Sequence, residues 1–511
     1  MLFSSIGFIF GFLPIVLVVF HALIGRGRRD AAKLWLIAAS IVFYGNFIPI
    51  HLLLLAASTV TNFLVGRRLM AHPTRAMLAL GLIFNLSMLA VFKYADFVVA
   101  NVNALFALGL PQPGIVLPLA LSFFTFQKIA YLIDVYREGA PRYSFFDFVL
   151  FVVFFPQLIA GPIVHHRQIM PQIAALGLDR DRALDVAVGS TAFVLGLFKK
   201  VAIADSLAIY PDTVFAAAGG GVALDLVTAW IGVVAFALQI YFDFSGYSDM
   251  ALGLGRMFGI SLPANFLSPY RATSIIEFWR RWHMTLSAFL RDYLYVPLGG
   301  NPHGTLRRYI NLWIVMLLGG LWHGANWTFV AWGGLHGLYL SINHGFRRLT
   351  LPVRWARPWR IVAWAMTFGA VLLAWVFFRA ADFTTAFAML QAMFGRNGIV
   401  LPSAAAPLAA VVPGLVRRLD ISFGGLAILA AGGPYNLGWL PIAASICLLA
   451  PNLADWLSAW QLAIGHPVDK RATAVMPAWR PDLGWGLVTG LLLASCVVYQ
   501  TSAVRFLYFQ F

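Results

Sequence analysis

The sequence predicts an all-α, polytopic integral membrane protein, and three observations carry that class. Of the 511 residues, 61% are hydrophobic and 11% are charged, where a soluble domain is about 45–50% apolar and about 25% charged. Apolar runs recur at lengths near the roughly 20 residues that cross a bilayer as a helix. The basic residues gather in short connections: Arg26, Arg28, Arg29 and Lys33; Arg67, Arg68 and Arg75; Arg347 and Arg348 with Arg354, Arg357 and Arg360. Short cytoplasmic loops enriched in Lys and Arg are the positive-inside pattern. It accounts for the net charge of +16, and no nucleic acid partner is expected.

Apolar segments fall at 2–24, 34–46, 49–66, 76–98, 115–135, 145–161, 186–210, 225–255, 308–322, 326–345, 361–380, 399–412, 422–454 and 483–505. The first has no basic n-region or small-residue cleavage site, so it reads as a retained helix rather than a signal peptide. Residues 34–66 as one helix would reach about 50 Å, against a roughly 30 Å hydrocarbon core. Gly45-Asn46 and Pro49 supply a break, and two helices put the basic connections 25–33 and 67–75 on one side of the membrane. Further on, Pro, Gly and polar residues interrupt the pattern at 155–162, at 241–249 and from Leu262 to Gly304. Broken backbone at membrane depth survives only inside protein or beside a water-filled cavity. These phrases therefore predict re-entrant or interfacial elements around an internal chamber, with ordinary surface loops the plainer alternative. Residues 398–430 read as a peripheral span or loop. The sum is one domain over 1–511, with about 11 to 14 membrane helices, a motif-bearing core at about 115–345 and a helical C-terminal portion at 361–511.

Ionisable groups inside a membrane protein are functional candidates by default. His323 stands in Leu321-Trp322-His323-Gly324-Ala325-Asn326-Trp327, directly after an unbroken apolar run. Imidazole is the side chain best suited to move a proton near neutral pH, which makes His323 the first catalytic candidate. On a continuing helix Asn326 would share its face at i,i+3. His283 and His336 are also candidates, with an interfacial position and helix packing their respective plainer readings. A helix over about 275–290 would place Arg280 and Arg281 away from the face bearing Ile276, Trp279 and Leu286, leaving them for the interface or for phosphates. Metal chemistry is not expected. There is no His-Glu-x-x-His, His165 and His166 point opposite ways on a helix or strand, and Asp243 and Asp249 lack the carboxylate spacing of a metal loop. Cys447 and Cys496 form no Cys-x-x-Cys pair. No Gly-x-Ser-x-Gly elbow appears either, so a histidine base acting directly on an acceptor hydroxyl fits better than a covalent intermediate.

The phrases FPQLIAGP from Phe155 to Pro162, YFDFSGYSD from Tyr241 to Asp249, FWRRWH from Phe278 to His283, RDYLYVPLGGN from Arg291 to Asn301 and LWHGAN from Leu321 to Asn326 resemble the membrane-bound O-acyltransferase (MBOAT) superfamily. The match is closest to its AlgI-like branch of bacterial alginate O-acetyltransferases, and covers essentially residues 1–380. The resemblance implies a helical fold around a central funnel or tunnel in the bacterial inner membrane. It implies His323 as the catalytic histidine and His283 as its companion, with Trp322, Asn326, His336, Asp243, Tyr247, Asp249 and Asn265 as candidates to line the substrate path. Arg271, Arg280, Arg281 and Arg291 are candidates for the donor's phosphates. No cofactor is implied; acetyl-CoA would be the donor substrate. An exopolysaccharide such as alginate, or its acyl carrier intermediate, would be the acceptor. Periplasmic or membrane-anchored polysaccharide O-acetyltransferases would be the partner proteins, with membrane lipids around the chain. A sister activity such as D-alanyl transfer, and a proton-coupled transporter of polysaccharide, remain as alternatives.

Overall fold

The computed structural model describes the chain except for residues 140, 179, 301–303, 347–355, 425–436, 466–475, 501–506 and 508–511. Asn301, the basic residues Arg347, Arg348 and Arg354, and part of the 422–454 segment lie outside the described residues. The chain is largely helical. Helices α1 (Gly7–Gly25), α2 (Arg29–Gly45), α3 (His51–Ala71), α4 (Arg75–Phe106) and α5 (Leu121–Glu138) open it. The break expected between 34 and 66 falls at 46–50. Among the described residues six helices are long and apolar enough to cross a membrane: α1, α3, α4, the long helical run α8 (Arg182–Gly219), α9 (Leu226–Met257) and the Pro358–Arg379 span of a later helix. The expected 11 to 14 are not reached on this measure. Helix α5 carries Gln127, Lys128 and Asp134, and 145–161 is divided into the short α6 (Phe145–Val153) and a turn at Phe155–Leu158.

Polarity is inverted relative to a soluble protein. On α3, Leu53, Val60 and Leu64 face outward while Ser58, Thr59 and Asn62 are buried. Asn62 and Asn85 exchange amide hydrogen bonds of 3.2 and 2.7 Å between α3 and α4. Lys128 of α5 donates to Ser58 Oγ at 2.9 Å and lies 4.3 Å from the Phe124 ring centroid.

The central contact is the crossing of α8 and α9. A Cβ on Gly189 would fall 2.5 Å from the Gly253 carbonyl oxygen, and one on Gly253 equally close to that of Gly189. Seven residues along, Gly196 and Gly246 repeat the arrangement at 2.5 and 2.7 Å. Hydrogen side chains let the backbones meet, as small residues do between membrane helices. Charges seal the same seam. Lys199 pairs with Asp249 at 2.6 Å, Lys200 with Asp243 at 2.7 Å and Asp205 at 2.6 Å, and Arg256 with Asp185 at 2.8 Å.

After the Phe155–Leu158 turn the chain reaches α7 (His166–Ala174), outside the spans. His165 is its extended N-cap residue, and the turn there brings both adjacent imidazoles to one carboxylate, correcting the expectation that they diverge. His165 Nδ1 and His166 Nε2 lie 3.9 and 3.6 Å from Asp134 Oδ2, and Tyr293 donates to Asp134 Oδ1 at 2.7 Å. Farther on, residues 399–402 pair in parallel with 421–424, and 262–263 with 463–464. The 399–412 segment is thus a strand followed by a 3₁₀ turn at Ser403–Ala405 and a single helical turn at Leu408–Val411, with Pro402, Pro407 and Pro413 keeping helices there short.

Two predictions follow from this packing. Gly253→Ala forces a Cβ against backbone and should cost roughly 1–3 kcal/mol, read as a lower melting temperature in detergent; Gly369→Ala, whose Cβ meets nothing within 4 Å, should leave it unchanged or higher. Burial pushes the His166 imidazole down from 6.5 to about 4, against the pull of Asp134. The unfolded chain therefore takes up that proton first, and His166's neutral burial is harmless above about 6.5 but destabilising as pH falls towards about 4. His166→Gln should flatten this part of a melting-temperature profile measured between those pH values.

Candidate functional site

Helices α12 (Thr305–His323) and α13 (Trp327–Phe346) form a tight hairpin; between α9 and α12 lie the short α10 (Ile275–Trp279) and α11 (Met284–Leu290). A Cβ on Gly320 would fall 2.2 Å from the Phe329 carbonyl oxygen, and one on Gly333 2.2 Å from that of Met316. Only glycine permits this approach, and it fixes where α12 stops. The helix ends at His323, and Gly324 is extended. The expected continuing helix is therefore absent. Asn326 Oδ1 instead accepts from the Thr328 N–H at 3.1 Å while Nδ2 donates to the Ala381 carbonyl at 2.8 Å. Its amide joins two chain segments and does not share a helical face with His323.

The His323 ring is buried among aromatics, with Trp322, Trp332 and Phe378 edge-on at 4.9, 5.0 and 5.3 Å between centroids. Trp322 in turn stacks on Phe126 at 5.3 Å and stands 6.2 Å from the His283 ring. One indole thus borders both imidazoles. His283 is fully buried, with Phe244 edge-on at 4.8 Å.

The helix expected over about 275–290 is broken into α10 and α11, and His283 between them has φ +43°. A non-glycine residue in that region carries strain that surrounding contacts must impose. The contacts are visible. Asn265 Oδ1 accepts from Thr285 Oγ1 at 2.9 Å and from the Thr285 N–H at 3.3 Å, and bonds His283 Nδ1 at 3.1 Å. The Met284 N–H reaches the Asn265 carbonyl at 2.9 Å, and the Ile163 N–H donates to Thr285 Oγ1 at 3.0 Å. Asn265 therefore positions His283, and residues 163, 265, 283 and 285 form one stitched unit.

A cavity of about 120 Å³ opens beside this unit, lined by Lys93, residues 117–123, Ile159, Trp322 and His323. Lys93 was not among the sequence candidates, although a lysine inside the apolar 76–98 segment is the signal that would have found it. Its ammonium donates to the carbonyls of both Trp322 and His323, the latter at 3.3 Å. His336 sits one aromatic ring farther in, with Trp332 4.8 Å away, and its Nδ1 accepts from Trp279 Nε1 at 3.2 Å. That contact joins α13 to α10.

The remaining candidates do not gather at the cavity. Asp243 and Asp249 are held in the lysine pairs of the α8–α9 seam, and Tyr247 is buried against Phe3 at 4.8 Å. Arg271 donates to the Ala450 carbonyl, Arg281 pairs with Glu277 at 2.8 Å, Arg291 with the adjacent Asp292 at 2.7 Å, and Arg280 is exposed. The four arginines do not converge on one point. Among the described residues no group of three His, Cys, Asp or Glu is arranged to hold a metal ion.

Comparison with known proteins gives consistent relatives. The profile of the membrane-bound O-acyltransferase family (MBOAT) matches residues 135–383, which include both histidines and Asn265. The peptidoglycan O-acetyltransferase of Helicobacter pylori is 40% identical over 495 residues, 89% of this chain and 92% of that protein. The probable alginate O-acetylase AlgI of Azotobacter vinelandii is 44% identical over 407 residues, 77% and 78% of the two chains. The teichoic acid D-alanyltransferase of Streptococcus thermophilus is 29% identical over 246 residues, 45% and 57% of the two.

Asn265→Ala removes the acceptor shared by His283 and Thr285, and stranding buried donors costs about 1–3 kcal/mol. Combined with His283→Ala the losses should be less than additive, as read from thermal unfolding of the single and double variants; additive losses would show that the two residues are not coupled.

Proposed function

The chain belongs to the membrane-bound O-acyltransferase family, and from that premise we propose that this O-acyltransferase carries acetyl groups from a cytoplasmic donor to a surface polysaccharide. The observation that carries the reading is His323 in a cavity wall, with a second, rigidly held imidazole bordering the same Trp322 ring. Acetyl-CoA is the donor in this reading, and alginate or a similar exopolysaccharide is the acceptor. His323 takes the proton of the acceptor hydroxyl as its oxygen attacks the thioester carbonyl. The tetrahedral intermediate then expels the thiolate, which recovers a proton, and the acetyl ester remains on the acceptor. General-base assistance of this kind is worth about 10²- to 10⁴-fold, and fixed placement of donor and acceptor adds to it.

A path between the two membrane faces belongs to the proposal. Arg75 of α4 lies on the side of the basic connections, and Lys93 is 18 residues along, about 27 Å at helical rise in a core of roughly 30 Å. The cavity at Lys93 is thus on the extracytoplasmic side. Phe123, which lines it, also borders a separate void of about 10 Å³ among Gln127, Gln157, Pro162 and Val164. Widened by a donor's arm, the two would join as the tunnel, with residues 155–164 as a re-entrant wall. Periplasmic acetyltransferase partners would then distribute the ester. A second acceptor class, peptidoglycan, is favoured by the Helicobacter pylori relative, whose match spans more of the chain than the alginate acetylase's does.

His323→Ala tests the reading. Acetyl ester on the exported polymer should fall by about 10²- to 10⁴-fold with polymer quantity unchanged. Normal acetylation by a stably expressed variant would sink the role of His323, and loss of the polymer itself would favour a transporter.

A further inference from the structure

We propose that the start of helix α14 (Ala356–Arg379) carries a binding site for an anionic glycerophospholipid of the cytoplasmic leaflet, its phosphate at Arg271 and Arg360 and an acyl chain in the groove between α13 and α14. The inference is independent of the acyl-transfer reading of His323. The orientation of α14 follows from its partners. Arg182, at the start of α8, donates to the His21 carbonyl at 3.4 Å beside the basic connection 25–33, and Asp212, towards the other end of α8, meets Arg379 at 2.6 Å. The Arg379 end of α14 is therefore extracytoplasmic and its start cytoplasmic, as the arginines between 347 and 360 also require.

Two openings of about 450 Å³ each meet there. One is a groove lined by Ile275 of α10, Tyr339 and Ile342 of α13, and Trp359, Met366 and Ala370 of α14. The other is lined by Arg271, Thr273, Arg360 and Trp364. Thr273 borders both, and on α14 the neighbours Trp359 and Arg360 divide them. Trp359 is held in place by stacking on Phe346 at 5.5 Å. Ile342 and Met366 are 60% and 64% exposed, so the groove opens sideways to lipid. Ala370 lies 10 residues beyond Arg360, about 15 Å at helical rise and half of a roughly 30 Å hydrocarbon core. That is the depth of one leaflet.

A cationic end above an apolar groove of leaflet depth selects an amphipathic anion. Among the described residues neither Arg271 nor Arg360 pairs with a carboxylate; a terminal nitrogen of Arg271 donates to the Ala450 carbonyl, and its buried Nε has no partner. The carboxylate that Thr273 meets is committed elsewhere: Glu277 accepts from the Thr273 N–H at 2.8 Å and pairs with Arg281 at 2.8 Å. Guanidinium groups bind phosphate through charge-assisted hydrogen bonds, and basic pockets between membrane helices on the cytoplasmic side take anionic headgroups. An acetyl donor has no long apolar chain to place in the groove, which separates a lipid from coenzyme A as its occupant. Helix α10 begins at the groove with Ile275, sends Trp279 to His336 and is followed by His283. Bound lipid would thus brace the segment that leads to the second histidine.

The test is native mass spectrometry of the full chain, stripped of lipid in detergent and titrated with phosphatidylglycerol or with phosphatidylcholine of the same acyl chains. The wild type should hold one phosphatidylglycerol about 10-fold or more tightly than phosphatidylcholine, as expected for charge-assisted contacts. Glycerol 3-phosphate and coenzyme A should not displace it. Arg271→Gln combined with Arg360→Gln should remove the preference, and Ala363→Trp, which fills the groove, should weaken retention of both lipids; melting temperatures check that the variants fold. Equal affinity for the two lipids, a preference that survives the paired arginine substitutions, retention unchanged by Ala363→Trp, or displacement by glycerol 3-phosphate or coenzyme A would each overturn the proposal. The wild-type comparison stands even if a variant fails to fold.

Discussion

A charge withheld from water must be met by protein, and in this chain that requirement fixes the position of almost everything else. The α8–α9 seam meets it with lysine–aspartate pairs at 2.6–2.7 Å, and the glycines at 189, 196, 246 and 253 bring the helices close enough for those pairs to form. Asp243 turns to Lys200, and the next residue, Phe244, lies edge-on to His283. The ion pair and the site are thus adjacent positions of one helix. Disturbing the seam would move the wall against which the second histidine rests.

The α12–α13 hairpin applies the same economy of space without charge. Gly320 and Gly333 allow backbone contact, so His323 emerges at a helix end with Trp332 of the partner helix beside it. Trp322, Trp332 and Phe378 remove water from the imidazole. Exclusion of water strengthens every remaining electrostatic interaction.

Much of this was legible in the sequence, for identifiable reasons. Apolar length and basic connections gave the membrane class, and the 46–50 break was required by helix length against bilayer thickness. His323 and His283 stood out as ionisable groups in apolar surroundings. Helix continuity was not legible. The local pattern around Asn326 and over 275–290 is helix-compatible, and the breaks there come from distant contacts: the Gly320–Gly333 approach and the Asn265 bonds. Asp243 and Asp249 were conspicuous as carboxylates in an apolar segment, but their pairing with Lys200 and Lys199 spans 43 and 50 residues of chain and could not be read locally. Lys93 was overlooked because a single lysine in a long apolar segment reads as an interruption until its neighbours are known.

The hydrogen bonds around Asn265 also constrain what His283 can do. A backbone N–H can only donate, so the Thr285 N–H identifies the Asn265 atom it meets as the amide oxygen. Thr285 Oγ1 accepts from the Ile163 N–H and therefore gives its own proton to that oxygen. His283 Nδ1, 3.1 Å from the same oxygen, must then carry a proton to bond it. In the neutral ring this leaves the lone pair on Nε2. A neutral His283 accordingly accepts hydrogen bonds at Nε2 and cannot donate there to a developing oxyanion; donation would require the imidazolium, deep among Phe244, Phe266 and Trp322. A neutral His283 held by Asn265 is therefore arranged to receive a donated proton's hydrogen bond at Nε2 rather than to give one.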